Sequence, residues 1–339
     1  MYFNGKIQSS LVNNIAIRSL FLLVLLQLHP DTGRSQSVAS SAFFDNNLDD
    51  TSYTVTNRKA STQRKIFTGA VSTTVLGASF VALNTAWYKN YPRTTLRSFD
   101  DSKEWLQMDK AGHVWTSYNC ANLSFKAWQW AGAKKSTSIL LGSLTSLSYL
   151  GTIEYLDGRS QEWGWSWGDM AANIFGAGVF SLQQCLGNQQ FVRIKFSAHI
   201  PSYSADLASR SKELFGTSLP SRLLKDYNSQ TYWLSINMKS VIPSPTIPAW
   251  VNLAIGVGGQ GMLGGFENIA YDNEGNISFD RRDIQRYRQW YLSFDIDLSK
   301  VKTNSKFLRS ALDVFNIIKI PFPALEFSKQ SFKGHWIYM

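Results

Sequence analysis

The sequence contains little cysteine and few uninterrupted apolar runs, and the shortage of cysteine excludes one class of protein. Only Cys120 and Cys185 occur among 339 residues. At most one disulfide can therefore form, and a cysteine-stapled miniature fold is excluded. No cysteine directly follows the apolar run near the N-terminus, which argues against a lipid-modified N-terminus. Ser, Thr, Gly and Ala dilute the later helix-length segments, which suits tight helix packing either in a membrane or outside one.

Positive charge and an export signal together limit the partners. Residues 1–37 predict a signal peptide, because the positively charged Lys6 and Arg18 precede a short apolar run at residues 20–28. That run is shorter than the roughly 20 residues that a membrane-spanning helix needs. The alternatives to a signal peptide are a buried N-terminal strand or a membrane anchor. For an exported chain, the net charge of +10 predicts no nucleic-acid partner. The expected partners are a membrane surface, an envelope protein complex or a phosphate-bearing lipid.

The chain divides into a helical half and a β-rich half. Its 44% hydrophobic content supports a core for one large or two ordinary domains. A polar linker at residues 38–63 precedes a helical bundle at residues 64–189 and a β-rich region at residues 190–339. Helical periodicity predicts four helices, at residues 66–88, 109–133, 136–156 and 166–186.

Alternation of apolar and polar residues predicts the strands. It is strong at residues 191–196, 231–238 and 290–298 and weaker at 251–257 and 336–339, with a further helix at 307–320. Proline-rich breaks at residues 243–245 and 321–323 separate these elements. Five or six strands are fewer than the eight of the smallest membrane barrels. We therefore expect an α+β fold in which a four-helix bundle is followed by a sheet packed on it.

Ionisable and amide groups interrupt the apolar helical segments. A charge withdrawn from water without a counter-charge is costly, so such groups should converge. Asp109 and His113 lie four residues apart on one helix face, although Asp109 has an alternative role as a helix cap. Asp169 likewise fits a capping box with Ser166. The predicted buried polar cluster comprises Asp109, Lys110, His113, Glu154, Arg159, Asp169 and Asn173.

Glu154 is the member that no local rule explains. It lies near the C-terminal end of a predicted helix, where the helix dipole disfavours an anion. A cation or a metal should therefore compensate its charge. The candidate partners are His113, Lys110 and Arg159.

The spacing of these residues resembles a known pattern. Asp109-Lys110-x-x-His113, then Glu154 and Arg159, then Asp169-x-x-x-Asn173-x-x-Gly176, is similar to the VanZ-like families. The wider runs at residues 109–115 and 151–159 resemble the YfiM-like family of predicted periplasmic or outer-membrane lipoproteins, a domain of unknown function. The resemblance extends over residues 100–339 and implies a location in the periplasm or outer membrane of a Gram-negative envelope. It implies no established activity.

Two hypotheses follow. In the first, the protein is a non-catalytic envelope protein whose polar cluster fixes helix register and whose β-rich half contacts a membrane or an assembly partner. In the second, it is an enzyme or a binding protein for lipid or cell-wall headgroups. His113, Glu154 and Asp169 are then the catalytic or metal-binding candidates, and Arg159 is a phosphate clamp. The Gly259-x-Gly261-x-x-Gly264 sequence does not open a helix, so we predict no nucleotide cofactor.

Overall fold

A computed structural model describes residues 62–86, 88, 92–161, 163–187, 189–272 and 274–338. The predicted signal peptide and nearly all of the predicted linker lie outside the described residues. The described part has mixed α+β architecture, with helices in its N-terminal half and an antiparallel sheet in its C-terminal half. This confirms the predicted fold class.

Four long helices form the N-terminal half: α1 (Thr62–Ala86), α2 (Met108–Trp130), α3 (Lys135–Gly158) and α4 (Trp167–Leu186). Gly132, with φ of 78°, lies just past the end of α2 and turns the chain into α3, because glycine adopts this left-handed conformation without strain. The hydroxyl of Ser166 accepts a hydrogen bond from the Asp169 N–H and so starts α4.

Three of these helices form the close-packed part of the bundle, so the predicted bundle of four helices is not confirmed. α2, α3 and α4 approach closely at small residues: Gly142 lies against the Ala121 carbonyl and Gly176 against the Val114 carbonyl. α1 contacts the bundle at aromatic pairs such as Phe80 with Tyr149. It buries only Thr68, Val75 and Ala82 among its described side chains, so it packs on the bundle less closely than the other three helices pack on one another.

By length and composition, residues 62–84 form the one helix in the described part of the chain that is long and apolar enough to cross a membrane.

Six strands form the main sheet: β1 (Val192–Ala198), β2 (Gln230–Asn237), β3 (Val251–Gln260), β6 (Tyr287–Ile296), β7 (Phe322–Ser328) and β8 (Ser331–Tyr338). The connecting elements are α5 (Ala208–Phe215), α6 (Leu219–Lys225), α7 (Met238–Val241), β4 (Ile269–Tyr271), β5 (Ile277–Asp280) and α8 (Lys306–Phe315), of which β4 and β5 form a small hairpin. The order of strands in the main sheet is β1-β2-β3-β6-β7-β8, and every neighbouring pair is antiparallel.

The main sheet curls until its far strands meet. The Tyr338 hydroxyl of β8 lies 3.0 Å from the Thr231 hydroxyl of β2, although three strands separate β8 from β2 in the sheet. Phe196 of β1 also forms a parallel bridge with Ile318, just ahead of β7. The interior of the curl combines the aromatic side chains of Trp233, Tyr291 and Tyr338 with buried ion pairs. Lys195 pairs with Asp295 at 2.7 Å, and Arg193 pairs with Asp297 at 3.0 Å.

The bundle covers one end of the sheet. The Asn119 amide of α2 donates to the Ile194 carbonyl of β1, and the Trp115 ring packs on Phe196. Tyr232 of β2 also packs against α2, next to Met108 and Gly112. Neither cysteine forms a disulfide: Cys120 lies half-buried in α2 and Cys185 is exposed in α4.

Candidate functional site

The candidate site lies where the start of α2, the end of α3 and the start of α4 meet. Because the three helices alternate in direction, these ends share one end of the bundle. Glu154 and Asn173 are fully buried and Asp169 is nearly so. The structure thus brings together six of the seven residues in the predicted cluster: Asp109, Lys110, His113, Glu154, Asp169 and Asn173.

His113 is held between a carboxylate pair and an amide. Its Nδ1 lies 3.0 Å from Oδ1 of Asn173, and this contact is a hydrogen bond when Nδ1 carries the hydrogen. Its Nε2 faces Glu154 Oε1 at 3.6 Å and Asp109 Oδ2 at 3.9 Å. In the neutral ring this contact favours the tautomer in which the Nε2 lone pair points at the carboxylates, whereas the protonated ring presents an Nε2–H to them.

Glu154 gains a partner that its own helix does not supply. Its Oε2 accepts the Ser166 N–H at 3.3 Å, so it lies against the N-terminal end of α4, where the helix dipole favours an anion. This contact also completes the cap of α4, because Ser166 Oγ accepts from Asp169 N while Glu154 takes the backbone N–H of Ser166. Oε1 of Glu154 is buried without a hydrogen-bond partner in the described part of the chain.

Lys110 neutralises a second carboxylate pair. Its ammonium contacts Asp101 at 2.8 Å and Asp169 at 3.1 Å. Ser166 Oγ also donates to Asp101 at 2.8 Å, which ties this pair to the start of α4. A Cβ at Gly168 would lie 2.7 Å from the Lys110 side chain, so the glycine leaves room for that lysine.

Burial and mutual repulsion shift the acid pKa values upward. Burial raises the pKa of Glu154 to about 7, and His113 opposes the rise. Burial, assisted by the Asp109 charge, raises the pKa of Asp169 to about 8. Burial lowers the pKa of His113, but Asp109, Asp169 and Glu154 raise it further, and the net pKa lies above its ordinary value. The cluster is therefore short of positive charge.

Three side chains have the spacing of a cation site. The ligating atoms of Asp109, His113 and Asp169 all lie within 4.8 Å of one another. The predicted candidates were His113, Glu154 and Asp169. In the structure Asp109, and not Glu154, completes the group with His113 and Asp169. Glu154 lies beside this group and contacts His113.

The capping role considered for Asp109 is wrong. α2 begins after Gln107 and has no side-chain cap, whereas Asp109 Oδ1 accepts a hydrogen bond of 2.6 Å from the Tyr227 hydroxyl. Tyr227 belongs to the C-terminal half, so the site joins the two halves of the chain. Tyr227 and Asp109 are 118 positions apart in the chain, so no local sequence pattern predicts their contact.

Further residues of the cluster were also missed. Asp157, one turn after Glu154, accepts a hydrogen bond of 2.6 Å from the Tyr88 hydroxyl, and burial raises its pKa to about 6. Asp101 precedes α2 in a polar segment that gives no periodic pattern. The acidic residue three positions after Glu154 was the one signal available, since positions three apart share a helix face.

Three successive left-handed residues direct the chain into the site. Trp105, Leu106 and Gln107 have φ values of 46°, 52° and 62°. Each costs of order 1 kcal/mol or more for a residue with a side chain. The turn is held because the Trp105 N–H donates to the Gly265 carbonyl at 2.8 Å and the Trp105 ring packs on Tyr227.

Arg159 does not join the cluster. It lines a separate cavity of about 100 Å³ together with Arg93, Tyr88, Tyr155, Leu156 and Ser160. Tyr88 connects the two places, because its hydroxyl binds Asp157 while its side chain lines the cavity.

Ser166 stands at the centre of a Gly-x-Ser-x-Gly sequence, Gly164 to Gly168. In hydrolases with this sequence the serine is exposed on a strained turn between a strand and a helix. Here Ser166 is 2% exposed and caps α4, and its Oγ donates to Asp101. The geometry is that of a helix cap and not of a nucleophile.

Comparison with known proteins supports the location of this protein. No curated protein and no solved structure matches the chain. A family model described as predicted periplasmic lipoprotein (DUF2279) matches residues 98–185, which include all seven residues of the predicted cluster. This match confirms the prediction of an exported envelope protein.

Proposed function

We propose that this envelope protein binds one divalent transition-metal cation between α2, α3 and α4. The observation that carries the proposal is the 4.8 Å grouping of ligating atoms from Asp109, His113 and Asp169. Ligands about 2.1 Å from a metal stand about 3 to 4 Å apart, so small side-chain movements complete the site. The buried and unpartnered Oε1 of Glu154 borders the same space.

The charge balance supports a cation. Two cationic groups, Lys110 and His113, face five carboxylates: Asp101, Asp109, Glu154, Asp157 and Asp169. Carboxylates withdrawn from water remain ionised only when a counter-charge is present. A divalent ion supplies that charge and displaces the proton that His113 otherwise holds.

The donor set indicates the class of metal. His113 offers a nitrogen and the two aspartates offer oxygens, a mixture that suits Zn²⁺, Fe²⁺ or Mn²⁺ better than the all-oxygen shell of Ca²⁺. Asn173 orients the imidazole from its far side, as an outer partner of a metal-bound histidine does.

Such a cation has a structural consequence. It connects the first turn of α2 to the first turn of α4, next to the last turns of α3, and so fixes the register of the bundle. The assembly or interaction role expected from the sequence then depends on metal, and the Asp109 side of the site, at 30% side-chain exposure, leaves the metal open to a further ligand.

The test is a calorimetric titration of the chelator-treated protein with Zn²⁺ and with Mn²⁺. We expect about one ion per chain and a higher melting temperature in its presence. Asp109→Asn and His113→Gln should each lower the affinity about 100-fold. His199→Gln, a histidine outside the cluster, is the matched control and should change the affinity less than twofold.

The proposal fails if the untreated and treated proteins contain no metal and the titration shows no binding. It also fails if His199→Gln weakens binding as much as His113→Gln. In either case the cluster is a polar network that stabilises the bundle without metal, which is the first hypothesis drawn from the sequence.

A second candidate function is binding of a phosphate-bearing headgroup beside this site. Within the part of the chain that the structure describes, neither the Arg93 nor the Arg159 guanidinium has a hydrogen bond or an ion pair, and both line the 100 Å³ cavity. Two arginines in a small cavity suit the oxygens of one phosphate group.

Binding of glycerol 3-phosphate tests this candidate. Arg93→Met and Arg159→Met should each lower the affinity about tenfold, whereas the exposed Arg282→Met should leave it unchanged. Equal affinities in all three variants would remove the phosphate site and leave the metal proposal untouched.

A further inference from the structure

The outward face of the curled sheet is apolar across its width. In-register neighbours form continuous rows that run perpendicular to the strands. One row consists of Ile194, Leu234, Ile255, Leu292 and Leu325. The next consists of Phe196, Tyr232, Val257, Trp290, Phe327 and Phe332.

The helices cover β1 and one residue of β2, Tyr232, on this face. Ile194 is buried beneath α2, but Leu234, Ile255 and Leu292 in the same row are 41%, 44% and 47% exposed. In a sheet that faces water, the outward positions are polar and the inward positions apolar. This sheet departs from that order, because its outward positions are apolar and its interior includes the Lys195–Asp295 pair with both side chains fully buried.

A groove runs along the exposed part of the face. It has a volume of about 520 Å³ and lies where β6, β7 and β8 meet. Its lining is dominated by apolar side chains from these strands and β3: Leu253, Leu292, Phe294, Leu325 and Trp336. Such a groove accommodates a flexible hydrocarbon chain.

Cations surround the apolar face. Arg288 is exposed at one end of β6, and Lys329 and Lys333 are exposed at the β7–β8 hairpin. The adjoining helix α8 is amphipathic and combines exposed Lys306 and Arg309 with the exposed apolar residues Phe307, Leu308 and Phe315. Positive charge around an apolar surface is complementary to the anionic headgroups of phospholipids.

We propose that the outward face of β2, β3, β6, β7 and β8, together with α8, is a contact surface for an anionic lipid bilayer. The proposal is independent of the metal site. The chain also carries, in α1, a helix long and apolar enough to cross a membrane, which agrees with a surface that contacts lipid.

The height of the face sets the depth of insertion. On β6 the exposed apolar positions run from Trp290 to Phe294, which is about 13 Å at about 3.3 Å per residue. A strand that crosses a bilayer carries an apolar band about 25 Å tall. The surface therefore enters one leaflet and does not span the membrane.

A polarity-sensitive fluorophore on Leu292→Cys tests the proposal in the full chain. The Cys185→Ser background removes the exposed thiol, while burial raises the pKa of the remaining Cys120 thiol to about 11 and keeps it unreactive. With vesicles of phosphatidylcholine and phosphatidylglycerol, we expect a blue-shifted emission, quenching by nitroxide-labelled lipid and several-fold weaker quenching by iodide. Vesicles of phosphatidylcholine alone should give a smaller response.

The matched control is the same label on Ile277→Cys, an equally exposed apolar position on β5 that lies outside the face. It should remain accessible to iodide with every vesicle. The proposal is overturned if the Leu292→Cys label stays equally accessible, or if it is already protected from iodide without lipid. The second result would mean that a second copy or another segment of the chain covers the face.

Discussion

At the scale of single residues, the site depends on side chains that serve two helices at once. Ser166 accepts the Asp169 N–H, donates to Asp101 and offers its own N–H to Glu154. Glu154 likewise makes two contacts, because its buried carboxylate completes the cap of α4 and faces His113. A buried polar group of this kind is costly when any one of its partners is removed.

Ser166→Ala is therefore expected to lower the free energy of unfolding by about 2 kcal/mol. The change removes the cap of α4, worth about 1 kcal/mol, and leaves Asp101 with one hydrogen bond fewer. Urea denaturation measures the effect.

Thr74→Ala is the matched control, because the Thr74 hydroxyl bonds only the carbonyl of Ala70 on an exposed part of α1. It should change the unfolding free energy by less than about 0.5 kcal/mol. Equal effects of the two substitutions would show that the cap of α4 does not stabilise the site.

At the scale of elements, close approach of α4 to α2 positions the carboxylates. A Cβ on Gly176 would lie 2.4 Å from the Val114 carbonyl and 2.9 Å from Ser117 Cβ. Both obstacles belong to α2, so a side chain here must push the two helices apart. Asn173 and His113 lie one turn nearer to the end of the bundle and would separate with them.

We expect Gly176→Ala to destabilise the protein by about 2 kcal/mol or more, as overpacking of a tight core does. Gly178→Ala, in the same helix with no atom within 4 Å of the added Cβ, should instead be neutral or gain up to about 1 kcal/mol from helix propensity. Thermal and urea unfolding of both variants checks the pair. A stable Gly176→Ala protein would contradict the tight helix contact.

Sequence periodicity predicted the elements better than it predicted their arrangement. The starts of α2 and α4 and the strong strands agree with the structure to within a few residues. The proline-rich segment at residues 321–323 was predicted to be a break, but β7 begins there because proline is tolerated at the start of a strand. Alternation also cannot say which face of a strand points inward, so the buried ion pairs inside the sheet were not predicted.

Only those site residues that share a helix face or carry a costly buried charge could be predicted from the sequence. Residues four apart on α2, such as Asp109 and His113, fall together by helix geometry, and burial cost brings Glu154 and Asp169 to them. Tyr227 and Asp101 come from segments without regular periodicity, and their contacts depend on the tertiary fold. Arg159 was predicted to join the cluster, but the end of α3 turns it towards the separate cavity.

At the scale of the whole molecule, buried ion pairs tie the sheet to its connections. Arg193 of β1 binds Asp297, which follows β6, and Asn316 beyond α8 donates to the same carboxylate at 2.7 Å. Burial raises the pKa of Asp297, but Arg193, Ser299 and Lys195 lower it more, and the net pKa falls to about 2.

Acid should therefore weaken the fold in a defined range. Because the pKa of Asp297 is lower in the folded than in the unfolded chain, its contribution to stability is present above pH 4 and is lost as the pH falls from about 4 to about 2. The shift corresponds to about 2 kcal/mol. Asp297→Asn should be less stable at pH 7, and its unfolding free energy should change less over that range.

Urea midpoints of both proteins between pH 2 and pH 7 make the comparison. The exposed Asp283→Asn is the control and should retain the full decline with acid. If Asp297→Asn keeps the same slope as the unaltered protein, another group governs the acid sensitivity.

The left-handed turn at Trp105 to Gln107 also dictates an order of events in biosynthesis. It is strained by itself and is secured by Gly265 and Tyr227, which are translated more than a hundred residues later. Asp109 likewise waits for the Tyr227 hydroxyl. The acidic cluster is therefore complete only after the C-terminal half has been synthesised and has folded against the helices.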